Sequence, residues 1–406
     1  MRVLLSDGSG LTSRQCATLL AREGHDVSVL AAAALPLTRW TRHVSRVHRL
    51  PPYGPDPLGW WDIAVRVLQR ERPDVLLPTQ EQVAVISRRQ RDLDALGVGT
   101  VVPPFAALQR VQDKLAADQT LRAAGLRRPS SWVARDAAGL VRGVCGPAFL
   151  KAPIGTVSTG VQRVRGRDQV REAAAAFQQA GAFAAGGVLV EEPVAGPLLM
   201  VQSVFSAGRL LALHANERTR EGAGGGASTK TSRSVPGAAD DVQLLGQLLG
   251  WHGALSLDAI LDKDGPVWID VNPRLVEPFN AARSGVDLLG PLLALARGQA
   301  GPSTVVGGTP GVRTHQLLLA VLGAAQSGRG RAGVARELLS AATRSGPYTG
   351  STEELTPVAG DPLAAVPVAA AALACLLRPS LERLLTSKAV SGYALTPQGW
   401  HDLQAA

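Results

Sequence analysis

The chain has 406 residues, of which 46% are hydrophobic and 18% charged. That length exceeds one ordinary core, so two or three domains are expected, and the composition excludes a disordered chain. The net charge of +9 is spread along the sequence, with no Lys/Arg block interleaved with aromatics, which sets aside a nucleic-acid binder.

Residues 2–5 (RVLL) read as a short apolar strand, SDGSG as a turn, LTSRQCATLLAREG as a helix stopped at Gly24, and HDVSVLAA as a second strand. This β-α-β opening belongs to an α/β domain. Gly8 and Gly10 match two glycines of a dinucleotide-binding turn, but Ser13 takes the third place and no acid ends the second strand. A tight turn, or a helix N-terminus facing a substrate anion, fits better. Residues 60–72 read as a helix and 73–81 (PDVLLPTQE) as a buried strand. Its polar end presents Thr79, Gln80 and Glu81 where open α/β sheets bind ligands; a helix N-terminal acid is the other reading of Glu81.

Residues 106–125 read as a helix ending at Gly125. In 146–164 a strand, a Gly/Ser/Thr loop and a second strand follow one another. Lys151 closes the first strand, Gly155 and Gly160 let backbone N–H groups approach an anion, and Ser158 and Thr159 add hydroxyls. A plain β-turn reads from the same letters. Residues 168–181 form an Ala-rich helix, and 187–196 (GVLVEEPVAG) a strand running into Glu191-Glu192-Pro193. The proline leaves backbone groups there that a purine edge can pair with, or simply a surface turn.

Residues 198–220 read as a hairpin turning at Ser206-Ala207-Gly208, 221–234 as a mobile glycine-rich loop, and 238–250 as a helix. Two alternating runs then flank DKDG. A three-residue loop at 263–265 would pair 262 with 266, 260 with 268 and 258 with 270. Asp258 would face Asp270, with Asn272 on the same side. Opposed like charges are destabilising. Two carboxylates and an amide oxygen suit Mg²⁺; a solvent-facing polar hairpin is the alternative. After a helix around 285–297, residues 298–311 read as a linker and the rest as a helical tail. Its apolar run, 363–377, is broken by Pro367 and too short to span a bilayer.

Lysine occurs only at 114, 151, 230, 263 and 388. A chain that otherwise uses Arg keeps Lys where a compact, bendable ammonium is needed, which singles out Lys114 and Lys151. Cys16, Cys145 and Cys375 lack metal-ligand spacing and fit free thiols in a reducing compartment. No basic segment precedes a long apolar stretch at the start, so a cytoplasmic location is expected.

The ordered set PDVLLPTQE, DKLAADQTLRAAG, FLKAP with its glycine loop, VEEPV, GALSLDAIL and WIDVNPR resembles the ATP-grasp superfamily over residues 1–300. GAGGGAS and LGWHGALSLD are most similar to the branch related to the carbamoyl-phosphate synthase large subunit and its predicted carboligases, and YALTPQGW to extensions in that branch. The resemblance implies an α/β ATP-grasp fold. Its parts are a Rossmann-like pre-ATP-grasp domain (1–105), a linker helix with a small central subdomain (106–195), a C-terminal lobe with the metal site (196–300) and a helical extension (301–406). It implies ATP-dependent joining of a small-molecule carboxylate to an amine through an acyl-phosphate, with ATP and Mg²⁺ or Mn²⁺, and with neither nucleic acid nor membrane as partner. Homodimers are common in such proteins. The alternatives are carboxylation or carbamoyl-type transfer with bicarbonate, and a nucleotide-binding protein with weakened catalysis.

By the same resemblance Lys114 and Lys151 contact the ATP phosphates, and Glu191, Glu192 and Val194 hold adenine; Ser158, Thr159 and Gly160 of the loop after Lys151 are the further nucleotide-binding candidates. Asp258, Asp270 and Asn272 hold the metal. Arg274 and Lys151 stabilise the transferring phosphate, and Arg218 and Arg220 touch substrate. His214 reads as an ordinary strand residue. Three departures stand out. Both metal acids are Asp where Glu is usual, Leu198 replaces a ribose-binding acid, and Ser256 replaces an arginine for which Arg218 or Arg220 would substitute.

Overall fold

The computed structural model describes residues 1–155, 160–301, 305–355 and 359–406. The first sheet is parallel, with order β3-β2-β1-β4. Its strands are β1 (Arg2–Leu5), β2 (Asp26–Ala31), β3 (Arg46–Arg49) and β4 (Val75–Leu77). Helix Leu11–Arg22 crosses from β1 to β2, as the apolar spacing requires, and Gly24 follows it at φ +84°. Val3, Leu5, Cys16, Leu20, Val29 and Leu77 are buried together in the core of this unit. The loop after β1 and the residues after β4 therefore share one end of the sheet.

The second sheet is antiparallel, with order β5-β8-β6-β7. Its strands are β5 (Ser131–Ala134), β6 (Ala148–Lys151), β7 (Val161–Val164) and β8 (Val188–Glu191). Helices Ala137–Gly143 and Arg167–Gln179 bury Leu140, Val170 and Phe177 against Leu150 and Val190 of this sheet.

The third sheet runs β13-β12-β9-β10-β11-β15-β16, with β14 beside β10. Its strands are β9 (Leu198–Ser206), β10 (Arg209–Glu221), β11 (Ala227–Ser232), β12 (Gly253–Asp262), β13 (Gly265–Asn272), β14 (Val305–Val306), β15 (Arg313–His315) and β16 (Ser351–Glu353). Helix Ala238–Leu249 covers one face and packs Val242 and Leu245 on Phe205, Leu255 and Trp268.

Two expectations need correction here. Residues 221–234 are not a mobile loop. After a short turn at Ala223–Gly225 the chain forms β11, paired with β10 on one side and β15 on the other. The segment lacks apolar letters because its buried side chains are polar: Ser228, Thr229, Lys230 and Ser232 are all buried. Its glycines serve close packing, since a Cβ on Gly222 would lie 3.0 Å from the Leu319 carbonyl oxygen. Nor is 298–311 simply a linker, because β14 pairs with β10.

The tail is mainly helical, as expected, but it also supplies β15 and β16. Helix Ala365–Leu377 contains the long apolar run and buries Ala371, Ala372 and Cys375. Among the described residues no helix is long and apolar enough to cross a membrane. The chain then returns to its beginning. Tyr53 N donates to Gly392 O, and Trp400 and Leu403 join a core with Trp60 and Trp61.

Candidate active site

The β12–β13 hairpin brings the predicted metal ligands together by an unexpected route. Its turn has two residues, Lys263 and Asp264, so Asp262 pairs with Gly265 and Ile260 with Val267. The expected pairings of 262 with 266 and 260 with 268 are thus wrong by one. A bulge between Asp258 and Ala259 absorbs that residue and restores Asp258 opposite Asp270. Ile269 is the extra residue. Its carbonyl accepts a hydrogen bond from Lys151 Nζ at 2.6 Å. Asn272 lies opposite Ser256.

Lys114 reaches the same place from the first residue of its helix. Asp113 caps that helix, accepting from Leu115 N at 2.7 Å and Ala116 N at 3.1 Å, which fixes the lysine at its start. Lys114 Nζ lies 2.8 and 3.0 Å from the two Asp270 oxygens. Lys151 arrives at the end of β6 and also pairs with Glu191 Oε2 at 2.7 Å. Lys114, Lys151, Glu191, Leu189, Trp268, Ile269 and Asp270 line one narrow cleft between the second and third sheets. A wider hollow, lined by Leu19, Glu23, Pro278 and Asp287, holds none of the predicted site residues.

The two aspartates titrate in opposite directions. Burial, and then the charge of Asp270, push the Asp258 carboxyl up to about 7. Burial also disfavours the Asp270 anion, but Lys114 and Lys151 outweigh it and hold that carboxyl below its ordinary value. Lys114 loses by burial and gains more from Asp270, Asp258 and Glu191, so its ammonium is held above the ordinary range. Burial raises Glu191 despite Lys151.

This set fits a divalent cation that also binds substrate phosphate. Among the described residues no three His, Cys, Asp or Glu side chains are placed to hold a metal ion by themselves. Asp258 makes no hydrogen bond or salt bridge among them, and a cation there would relieve its repulsion from Asp270. Mg²⁺ is commonly held by one or two carboxylates and completed by phosphate oxygens.

Arg274 sits just past β13. Ser256 Oγ donates to its carbonyl at 2.9 Å, so the serine in the place of an expected arginine anchors this backbone. Arg274 Nε donates to Glu81 Oε1 at 3.2 Å, and Gln112 Nε2 donates to Glu81 Oε2 at 2.9 Å. The Nη groups of Arg274 make no hydrogen bond among the described residues. A planar guanidinium held by Nε alone keeps both Nη groups, four N–H donors, for a carboxylate or phosphate. Gln112 was not anticipated, whereas Glu81 stands past the end of β4, where a ligand-facing position was one of its two readings.

The other predicted residues are placed differently. Gly160 stands at the foot of its loop at φ +83°, and its carbonyl accepts from Ala152 N at 2.8 Å. Ser158 and Thr159 lie outside the described residues. Glu191 is committed to Lys151, whereas Glu192 is exposed and donates its amide to Ser130 O. Val194 is half-buried in the same segment. Arg218 and Arg220 are not drawn into the Lys114–Asp270 cluster. Arg218 pairs with Glu221 and the Gly225 carbonyl, and Arg220 grips both oxygens of Glu337 in the tail. His214 is buried between Asn280 and Ser284, an ordinary strand histidine.

No family model matches the chain, and no curated protein is detectably similar to it. Solved structures do match. The biotin carboxylase domain dimer of the 2-oxoglutarate carboxylase of Hydrogenobacter thermophilus, solved with MgADP, ADP and bicarbonate, is 16% identical, with 75% of this chain and 71% of that chain covered at a TM-score of 0.59. An L-amino acid ligase from Bacillus licheniformis is 17% identical over 74% of this chain and 75% of that one, with a TM-score of 0.58. N5-carboxyaminoimidazole ribonucleotide synthetase from Thermus thermophilus is 18% identical over 77% and 81%, with a TM-score of 0.56. These neighbours are ATP-grasp enzymes, and the fold of this chain is the ATP-grasp fold.

Proposed function

We propose that the chain is an ATP-dependent ligase that joins a small carboxylate to an amine through an acyl-phosphate. The observation that carries this reading is the convergence of Lys114, Lys151 and Asp270 on one cleft, with Asp258 opposite Asp270 in the hairpin and Arg274 just past β13. On this reading residues 1–105 present the substrate side, 106–195 and 196–300 close on the nucleotide, and 301–406 brace them. Small-molecule substrates are in keeping with the neighbours, one of which is a domain dimer.

Asp258, Asp270 and Asn272 would hold Mg²⁺, which when bound neutralises phosphate charge during transfer. Lys151 has three N–H donors and spends two on Ile269 O and Glu191, leaving one for a phosphate oxygen. Lys114 balances Asp270 until nucleotide arrives and then offers its charge to the phosphates. Arg274 turns its free Nη groups to the substrate carboxylate. A carboxylate oxygen attacks the γ-phosphorus and ADP leaves. The amine nitrogen then attacks the carbonyl carbon, the carbon–oxygen bond to phosphate breaks, and the proton lost from nitrogen leaves with the phosphate.

A screen of ADP release over amino acids and small acids, with and without an amine, tests this, with mass spectrometry of the products. Asp270→Ala and Lys151→Ala are each expected to lower substrate-dependent release by about 100-fold or more. Retained release in both variants would sink the reading. Bicarbonate, present in one neighbour, gives the second reading. ADP release that needs bicarbonate and no amine would select it.

A further inference from the structure

Beyond the nucleotide cleft, five parts of the chain meet around one buried ammonium. Lys230 of β11 is 1% exposed and contacts Glu277 Oε2 and, at 2.8 Å, Glu354 Oε2. Gln316 Nε2 donates to the same two oxygens at 2.5 and 2.7 Å. Gln15 and Thr314 complete the shell of Glu354, at 2.9 and 2.5 Å. One ammonium faces two carboxylates, so the cluster is left one negative charge in excess, within a chain of net charge +9.

Two further observations point from this cluster to a ligand. Gln316 is 0% exposed, and its Oε1 has no hydrogen-bond partner among the described residues. Its NH₂ is already spent on the carboxylates, so the amide orientation is fixed and the orphan is an acceptor. An unmet buried acceptor is destabilising until a donor reaches it. Secondly, Glu277 has φ +45°, a left-handed conformation that strains a non-glycine residue. Thr12 Oγ1 accepts from its N–H at 3.2 Å and helps hold it there. Glu277 is also the one acid of the pair that reaches solvent, with 16% of its side chain exposed, whereas Glu354 is sealed.

The location relates this group to the reacting centre. Glu277 follows Arg274 by three residues. Both residues meet the same end of the first sheet: Arg274 Nε donates to Glu81, past β4, and Glu277 N donates to Thr12, on the helix that follows β1.

We propose that Glu277 and the Gln316 carbonyl seat the ammonium group of the amine substrate, beside the acyl group held by Arg274; one proton passes from the ammonium to Glu277, the acid that reaches solvent, before the freed nitrogen attacks the acyl carbon. This rests on the ligase reading above. Excess negative charge and an acceptor-only amide oxygen select a cation that carries N–H donors. They disfavour an anion such as bicarbonate.

Hydroxylamine, uncharged at neutral pH, captures acyl-phosphates as hydroxamates without needing an ammonium seat. The test incubates the full chain with ATP, Mg²⁺, hydroxylamine and a panel of amino acids and small acids. Glycinamide and the proteinogenic amino acids are then added as competing amines. In Glu277→Gln, the amine concentration that halves hydroxamate yield is expected to rise at least about tenfold more than the KM for hydroxylamine, the loss of one charge-assisted contact. Gln316→Leu moves in the same direction; Glu277→Gln is the isosteric change that decides if the leucine variant does not fold. Competition unchanged in Glu277→Gln, or no competition by any amine in the unmodified chain, overturns the seat alone. No hydroxamate from any acid in the unmodified chain overturns the ligase reading and the seat with it.

Discussion

His214 lies on β10 with Nε2 2.8 Å from Asn280 Oδ1 and Nδ1 3.2 Å from Ser284 Oγ. Burial pushes its imidazole down to about 4, although the bond to Asn280 opposes this. An unfolded histidine titrates near 6.5, so between those values the unfolded chain takes up the proton first. The stability lent by the neutral ring is present above about 6.5 and is lost as pH falls towards 4, by about 3 kcal/mol. Urea midpoints measured over that interval should therefore fall less steeply with acidification in His214→Gln than in the unmodified chain. Equal slopes would mean that His214 accepts its proton in the folded state without penalty. The lysines carry the complementary lesson. Lys114 and Lys151 were legible because lysine is rare here, and both stand in the cleft. Lys230 carried the same rarity but lay in a segment read as mobile, so its burial between two glutamates was not anticipated.

The β12–β13 hairpin shows why face is easier to read than register. Alternation in WIDVN and LSLDA fixes which residues share a side, because the side-chain period of a strand is two. Turn length and bulges leave almost no trace in those letters. Here a two-residue turn and a bulge at Ile269 offset one another, and Asp258 meets Asp270 as expected despite the wrong loop. The strand β11 was missed for the opposite reason, since its buried face is polar and gives no hydrophobic period. The turn itself makes a testable point. Gly265 has φ +119°, and a Cβ there would approach only Arg127 Nη1, at 3.7 Å. Gly265→Ala should therefore cost about 1–2 kcal/mol in denaturant unfolding through backbone strain alone. An alanine variant as stable as the original would place the φ restriction elsewhere in the turn.

The tail joins segments that lie far apart in sequence, which is the part least legible beforehand. Its strands β15 and β16 have three residues each, too few for a periodicity to register. Its anchors are single long-range pairs. Arg14 meets Asp361 in a buried salt bridge of 3.1 Å, and Thr396 Oγ1 donates to Gly54 O at 2.8 Å. Gly54 is the tightest of these anchors. A Cβ built on it would lie 1.8 Å from the Ala394 carbonyl oxygen, which is backbone and cannot swing aside as a side chain can. Gly54→Ala must therefore lift the 392–396 segment. That movement strips Leu395 and Trp400 from the core shared with Trp60 and Trp61, a loss of about 3–5 kcal/mol by comparison with truncating a buried tryptophan. Trp400→Ala should lower the denaturation midpoint by a similar amount without the clash. The two variants separate in limited trypsin digestion. Gly54→Ala displaces the segment itself and should be cut soonest at Arg383 or Lys388, releasing the terminal helix Pro397–Ala405, while Trp400→Ala keeps the Tyr53–Gly392 hydrogen bond and should be cut more slowly. Tyr393 is buried on this segment, so on the proposed ligase reading lifting it also disturbs the proposed substrate side. Gly54→Ala should accordingly lose ADP release in parallel with its protection from trypsin. Full protection and full release in that variant would show that the contact at Gly54 holds neither the tail nor the site.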